Sequence, residues 1–119
     1  MDQKIQRALS AEGYKSPTPI QEQCIPPLVE RRDLIGTAQT GTGKTAVFAL
    51  PILHHILTNP GKGPGNTPKA LILVPTRELA QQAEDFFRAY GRQTGLNPIC
   101  LYGGLSIQKQ IQGLRRGAD

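Results

Sequence analysis

Residues 38 to 45, Ala-Gln-Thr-Gly-Thr-Gly-Lys-Thr, constrain this chain more than any other stretch. A short apolar run, Asp33-Leu34-Ile35-Gly36-Thr37, leads into them, and a long apolar segment from Lys44 to Thr58 leads away. A buried strand, a glycine-rich turn and a helix in that order form the arrangement known as a phosphate loop. Its glycines let backbone N–H groups converge on phosphate oxygens without obstruction, and the following helix presents the positive end of its dipole. Lys44 is expected to reach the terminal phosphates, and Thr45 to offer its hydroxyl to a Mg²⁺ ion, directly or through water. Ala38, Gln39, Thr40, Gly41, Thr42 and Gly43 complete the candidate cofactor-binding set, with Lys44 and Thr45 the candidate catalytic pair. The strict pattern opens on glycine, whereas this loop opens on Ala38. A flexible glycine linker is the competing reading, and it leaves the Lys-Thr pair at the first helical turn unexplained. The loop does not choose among kinases, GTPases, transporters and helicases.

Periodicity around the loop predicts the remaining elements. Ile5, Ala8 and Leu9 recur at helical spacing before Gly13, giving a short helix over 2–12. Thr18-Pro19-Ile20-Gln21 has the form of a helix start, with Thr18 as N-cap and Gln21 in the capping-box position; Pro26-Pro27 is expected to kink or end that helix. The segment from Lys44 to Thr58 is apolar nearly all round, so it is expected to lie sandwiched between other elements, kinked at Pro51. Residues 59–68 read as a surface loop. Ala70 to Val74 is the clearest strand, apolar on both faces, and Ile99 to Tyr102 reads as a third strand broken by Gly103-Gly104. Helices follow each, one carrying Leu79, Ala83, Phe86, Phe87 and Tyr90, the other capped by Ser106. The alternation predicts an α/β layer with a parallel sheet of about three strands and flanking helices.

At 119 residues the chain is expected to form one domain. Its formal charge of +5 favours a polyanionic partner without naming one. The N-terminus lacks the apolar core of a secretory signal, and no apolar run reaches the roughly 18 residues of a membrane span, so a cytoplasmic protein without membrane contact is expected. Cys24 and Cys100 stand far apart and read as buried thiols.

Three further stretches, GYKSPTPIQ at 13–21, PTRELA at 75–80 and YGG at 102–104, make the chain resemble the start of a DEAD-box RNA helicase. AQTGTGKT is that family's form of the loop, Ala38 included, and the resemblance runs over essentially the whole chain. It implies an incomplete RecA-like P-loop domain, with residues 1–31 as the Q-motif region and 32–119 as a truncated P-loop core. It also implies ATP with Mg²⁺ as cofactors, RNA as partner, and ATP-driven RNA unwinding by the intact protein. Gln21 would read the adenine edge, with Tyr14 in the same cofactor-binding element; from its own position alone Gln21 reads rather as a helix cap, and the flanking match reverses that preference. Pro75, Thr76 and Arg77 would meet the RNA backbone at a helix start, although Arg77 also suits an ordinary ion pair with Glu78 or Glu84. Gly103 and Gly104 would let RNA approach the main chain, although any strand-to-helix turn favours glycine.

The sequence Asp-Glu-Ala-Asp, which supplies that family's metal-holding carboxylates, does not occur here. Phosphoryl transfer is catalysed by positioning and charge stabilisation, so this fragment is expected to bind nucleotide without turning it over. The first strand would also lack its natural neighbour, so self-association or the remainder of a longer helicase is expected to complete the sheet. A standalone ATP- or RNA-binding module, or another P-loop enzyme such as a small-molecule kinase, remains the alternative.

Overall fold

The structure is a computed structural model describing residues 1–39, 41, 43–60, 67–92 and 94–119; Thr40, Thr42 and residues 61–66 of the expected surface loop lie outside the described residues. Five helices follow one another: α1 (Gln3–Ala11), α2 (Pro19–Val29), α3 (Lys44–Thr58), α4 (Arg77–Gly91) and α5 (Ile107–Arg115). The expected caps account for their starts and stops. Asp2 accepts from Lys4 N–H at 2.8 Å, and Thr76 and Ser106 cap α4 and α5 with their hydroxyls. α1 closes as a Schellman motif on Gly13 (φ 78°), with Gly13 N–H donating to Ser10 C=O and Tyr14 N–H to Leu9 C=O.

α2 runs through Pro26 and Pro27, where a kink or an end was expected, and closes at Val29. The prolines remove two donors, but the last turn is recovered by the same motif. Arg31 N–H donates to Leu28 C=O and Arg32 N–H to Pro27 C=O, each at 3.0 Å. The residue that must turn left-handed is Arg31, at φ 63°, where a glycine would normally stand.

α3 is the centre of the packing, touching α1, α2 and α4. Ala46, Ala49, Leu50 and Leu53 join Ile5 and Ala8 from α1 and Phe87 and Tyr90 from α4 in one buried cluster. Alanines at 46 and 49 let neighbouring helices approach closely, while Leu53, 1% exposed, fills the middle. α1 is further tied down where Asp2 N–H donates to His54 Nδ1 at 3.2 Å. Burial, the Met1 amino group and His55 hold His54 below its ordinary value, with Asp2 opposing them.

The expected parallel sheet is not formed: among the described residues none of the three apolar segments is a strand. The segment 70–74 keeps a strand's alternation, with Leu71 and Leu73 exposed and Ile72 and Val74 half-buried. Its partner segment at 98–102 stands off by the width of one chain. Asp119 lies between them at one end, its carbonyl accepting from Lys69 N–H at 2.5 Å and Ala70 N–H at 3.0 Å and its own N–H donating to Asn97 C=O at 3.1 Å. A groove of about 720 Å³ separates the two segments, floored by Ile52, Leu53, Ile56 and Phe87. Ile35, on the first segment, is 99% exposed. At this end the backbone of Asp119, rather than the opposite segment, satisfies residues 69, 70 and 97.

Three outcomes follow from this packing. Leu53→Ala should lower unfolding free energy in urea by about 2–5 kcal/mol, whereas Leu71→Ser, on the bare face, should change it by less than about 0.5 kcal/mol. Arg31→Gly should raise it by about 0.5–1 kcal/mol by relieving the left-handed cap. The depressed His54 value means the folded state resists protonation there, so its contribution is complete above pH 6.5 and is lost as pH falls below it. Urea midpoints at pH 5 and pH 7.5 should therefore converge in His54→Leu.

Candidate nucleotide site and nucleic-acid interface

The start of α2 and the start of α3 meet through one side chain. Gln21 Oε1 accepts from Thr18 N–H at 3.0 Å, and Gln21 Nε2 donates to Gly43 C=O at 3.2 Å. The residue is 2% exposed, so both bonds are shielded from water. Gln21 is thus a helix cap and, at the same time, the link between the start of α2 and the loop.

Gly43 caps α3 at φ 83°, and a Cβ there would run into the Gln21 amide nitrogen. Glycine is required at this position by conformation and by space together. Gly41 is also left-handed, at φ 80°, but faces open space. Lys44 opens α3 and folds back, its Nζ donating to Ala38 C=O at 2.6 Å, so the ammonium closes the loop on itself. An anionic oxygen is a stronger acceptor than a carbonyl, and Lys44 can exchange one for the other with little movement. Thr45 sits half-buried in the first turn of the same helix. Tyr14 lies elsewhere: its ring packs edge-on against Tyr90 at the C-terminal end of α4, with centroids 5.9 Å apart.

These residues fit a nucleotide's phosphates: two left-handed glycines, a helix N-terminus and a lysine converge on one loop. A Mg²⁺ ion would depend on phosphate oxygens, water and the Thr45 hydroxyl, since no group of three His, Cys, Asp or Glu converges among the described residues.

On the opposite motif pair, Arg77 joins stretches 26 residues apart: its Nη2 donates to Gly103 C=O at 3.1 Å. The guanidinium carbon lies 5.0 Å from the Tyr102 ring centroid, a cation–π contact. Gly104 turns left-handed at φ 86°, and a Cβ there would stand 2.9 Å from Arg77 Nη2. Thr76 spends its hydroxyl on Leu79 N–H at 3.2 Å, and Pro75 precedes it as an exposed stop to the apolar segment. Thr76, Arg77, Gly103 and Gly104 therefore form one exposed junction.

Two residues that support the junction escaped sequence reasoning as site residues. Gln81 donates to Tyr102 OH at 3.4 Å, and Gln110 bonds the Tyr102 backbone twice. Gln81 stands one helical turn after Arg77, a spacing that places both on one face and that is legible in retrospect. Gln110 carries no such signal. Cys24 is buried, and Cys100 is half-buried with its thiol pushed up by burial, Glu84 and Asp85.

Adding a Cβ separates the two loop glycines. Gly43→Ala should cost about 1–3 kcal/mol of strain plus the displaced Gln21 bond, whereas Gly41→Ala should cost only the left-handed penalty of about 1–2 kcal/mol. Paired urea titrations would read the difference.

Comparison with known proteins bears on the same residues. The family model described as DEAD/DEAH box helicase matches residues 18–119. The chain is 46% identical over 116 residues to "Probable ATP-dependent RNA helicase DDX46" of Homo sapiens, covering 98% of this chain and 11% of that protein. It is 40% identical over 116 residues to "DEAD-box ATP-dependent RNA helicase RhpA" of Helicobacter pylori, covering 98% of this chain and 22% of that protein. Among solved structures, the RNA helicase Prp28 from Chaetomium thermophilum bound to ADP superposes with a TM-score of 0.85 at 41% identity, over 99% of this chain and 29% of that one. The chain thus spans a small part of its relatives' length, but nearly all of it is matched. It belongs to the DEAD/DEAH box helicase family.

Proposed function

We propose that the chain is the N-terminal part of the first RecA-like domain of an ATP-dependent RNA helicase, with residues 1–31 its Q-motif region and 32–119 its P-loop core. ATP with Mg²⁺ is the cofactor. The observation that carries this reading is the buried Gln21 amide held between Thr18 and Gly43, which makes the α2 start and the phosphate loop one unit. The matched relative bound to ADP supports it. Lys44 and Thr45 act on the phosphates and the ion, Gln39 and the loop glycines cradle them, and Gln21 serves the base; Tyr14, packed against Tyr90, does not join them. RNA meets the chain at Pro75, Thr76, Arg77, Gly103 and Gly104, through phosphate contacts that position without reading sequence.

Within these 119 residues the acidic groups that family members use to hold metal and activate water do not occur, so the chain binds nucleotide without hydrolysing it. The exposed Ile35, Leu71 and Leu73 favour self-association through the uncovered apolar face, in a cytoplasmic setting.

The reading is tested by titrating the chain with a fluorescent ADP in Mg²⁺. Lys44→Ala should weaken binding by about 10- to 100-fold, the worth of a hydrogen bond to a charged group, while leaving the melting temperature of the free chain nearly unchanged. RNA-stimulated ATP hydrolysis should be absent from parent and variant alike. Equal ADP affinity in Lys44→Ala would contradict the assignment of the loop, and turnover by the parent that Lys44→Ala abolishes would contradict the claim of incompetence.

A further inference from the structure

We propose that Gln110 is a positioning residue for RNA, holding the Tyr102-Gly103-Gly104 turn in the shape that Arg77 and a backbone phosphate both require. The proposal rests on the RNA reading of residues 75–77 and 103–104.

The segment that leads into the turn has no strand beside it among the described residues, so its backbone groups must be satisfied in another way. Gln110 supplies it. Its Oε1 accepts from Tyr102 N–H at 3.0 Å, and its Nε2 donates to Tyr102 C=O at 3.2 Å. This is the two-bond exchange that one residue of a neighbouring antiparallel strand would make, provided instead by a side-chain amide from the first turn of α5. A primary amide is the neutral side-chain group that can donate and accept side by side in this way.

The consequence falls on the next residues. With Tyr102 fixed on both main-chain groups, Gly103 C=O is directed to Arg77 Nη2 and the Tyr102 ring lies under the guanidinium. Gly104 then turns left-handed, with its missing Cβ leaving room for the same guanidinium. Arg77 has five donors, of which this contact uses one, so the fork stays available to an anion while its orientation is set. Gln110 touches no RNA in this account. It removes the ordering cost that a loose turn would add to each binding event.

The test compares Gln110→Met, which keeps the length and helix preference of the side chain but neither hydrogen bond, with Gln112→Met on the exposed face of the same helix. A labelled single-stranded oligouridine and fluorescent Mg–ADP serve as probes. Gln110→Met is expected to bind RNA about five- to tenfold more weakly, to bind ADP as the parent does, and to exchange the Tyr102 amide proton faster. Gln112→Met should match the parent in all three. If Gln110→Met does not fold, Gln110→Glu replaces it: the carboxylate keeps the acceptor and loses the donor, and Gln112→Glu controls for the added charge. RNA binding by the Gln110 variant equal to its Gln112 control would overturn the proposal, and so would parallel loss of RNA and ADP binding, which marks a merely structural role. Failure of the parent chain to bind RNA would overturn the RNA reading itself and this proposal with it.

Discussion

The burial of α3 is the constraint on which the rest depends. It is apolar around most of its circumference, three other helices pack on it, and its first residue is Lys44. The position of the phosphate loop is therefore set by core packing rather than by contacts of the loop's own. A loop whose exit is already fixed loses less freedom when an anion arrives, which is where a phosphate site built from backbone gains its affinity. Gln21 adds a second tether, from the start of α2 to Gly43 at the start of α3.

The second junction is assembled on the same logic from different material. Arg77 opens α4, Gly103 and Gly104 precede α5, and an arginine-to-carbonyl bond joins them. Both sites thus sit at helix starts, and in both a glycine takes a left-handed turn, at φ 83° for Gly43 and 86° for Gly104, with the buried Gln21 amide also filling the Cβ space at Gly43. The apolar segments between the helices are less finished. Residues 70–74 carry a strand's alternation without a strand's neighbour, and Leu71, Leu73 and, on the first segment, Ile35 remain exposed.

Local features were the legible ones. Thr18, Ser106 and Gly13 announce helix ends because capping is decided within a few residues, and the apolar stripe of α4 is visible because its period is short. The end of α2 was legible only as lying near Pro26-Pro27, because the closing left-handed residue is an arginine, which carries no signature of that conformation. The expected sheet is not observed among the described residues because an apolar pattern such as that of 70–74 reports which residues are buried, not whether a partner strand stands beside them. Gln21 was legible as a cap, but not as the partner of Gly43; that bond spans 22 residues. Gln110 illustrates the same limit, since a glutamine on an amphipathic helix looks identical whether it faces water or a backbone.

The most direct test of the account is a thermal melt of the chain with Mg²⁺ and ADP beside one with Mg²⁺ and GDP. If Gln21 and the phosphate loop form a single adenine-nucleotide site, ADP should raise the cooperative transition and GDP should leave it where it is. Equal shifts with both nucleotides, or none with either, would contradict the claim that the two elements act as one site.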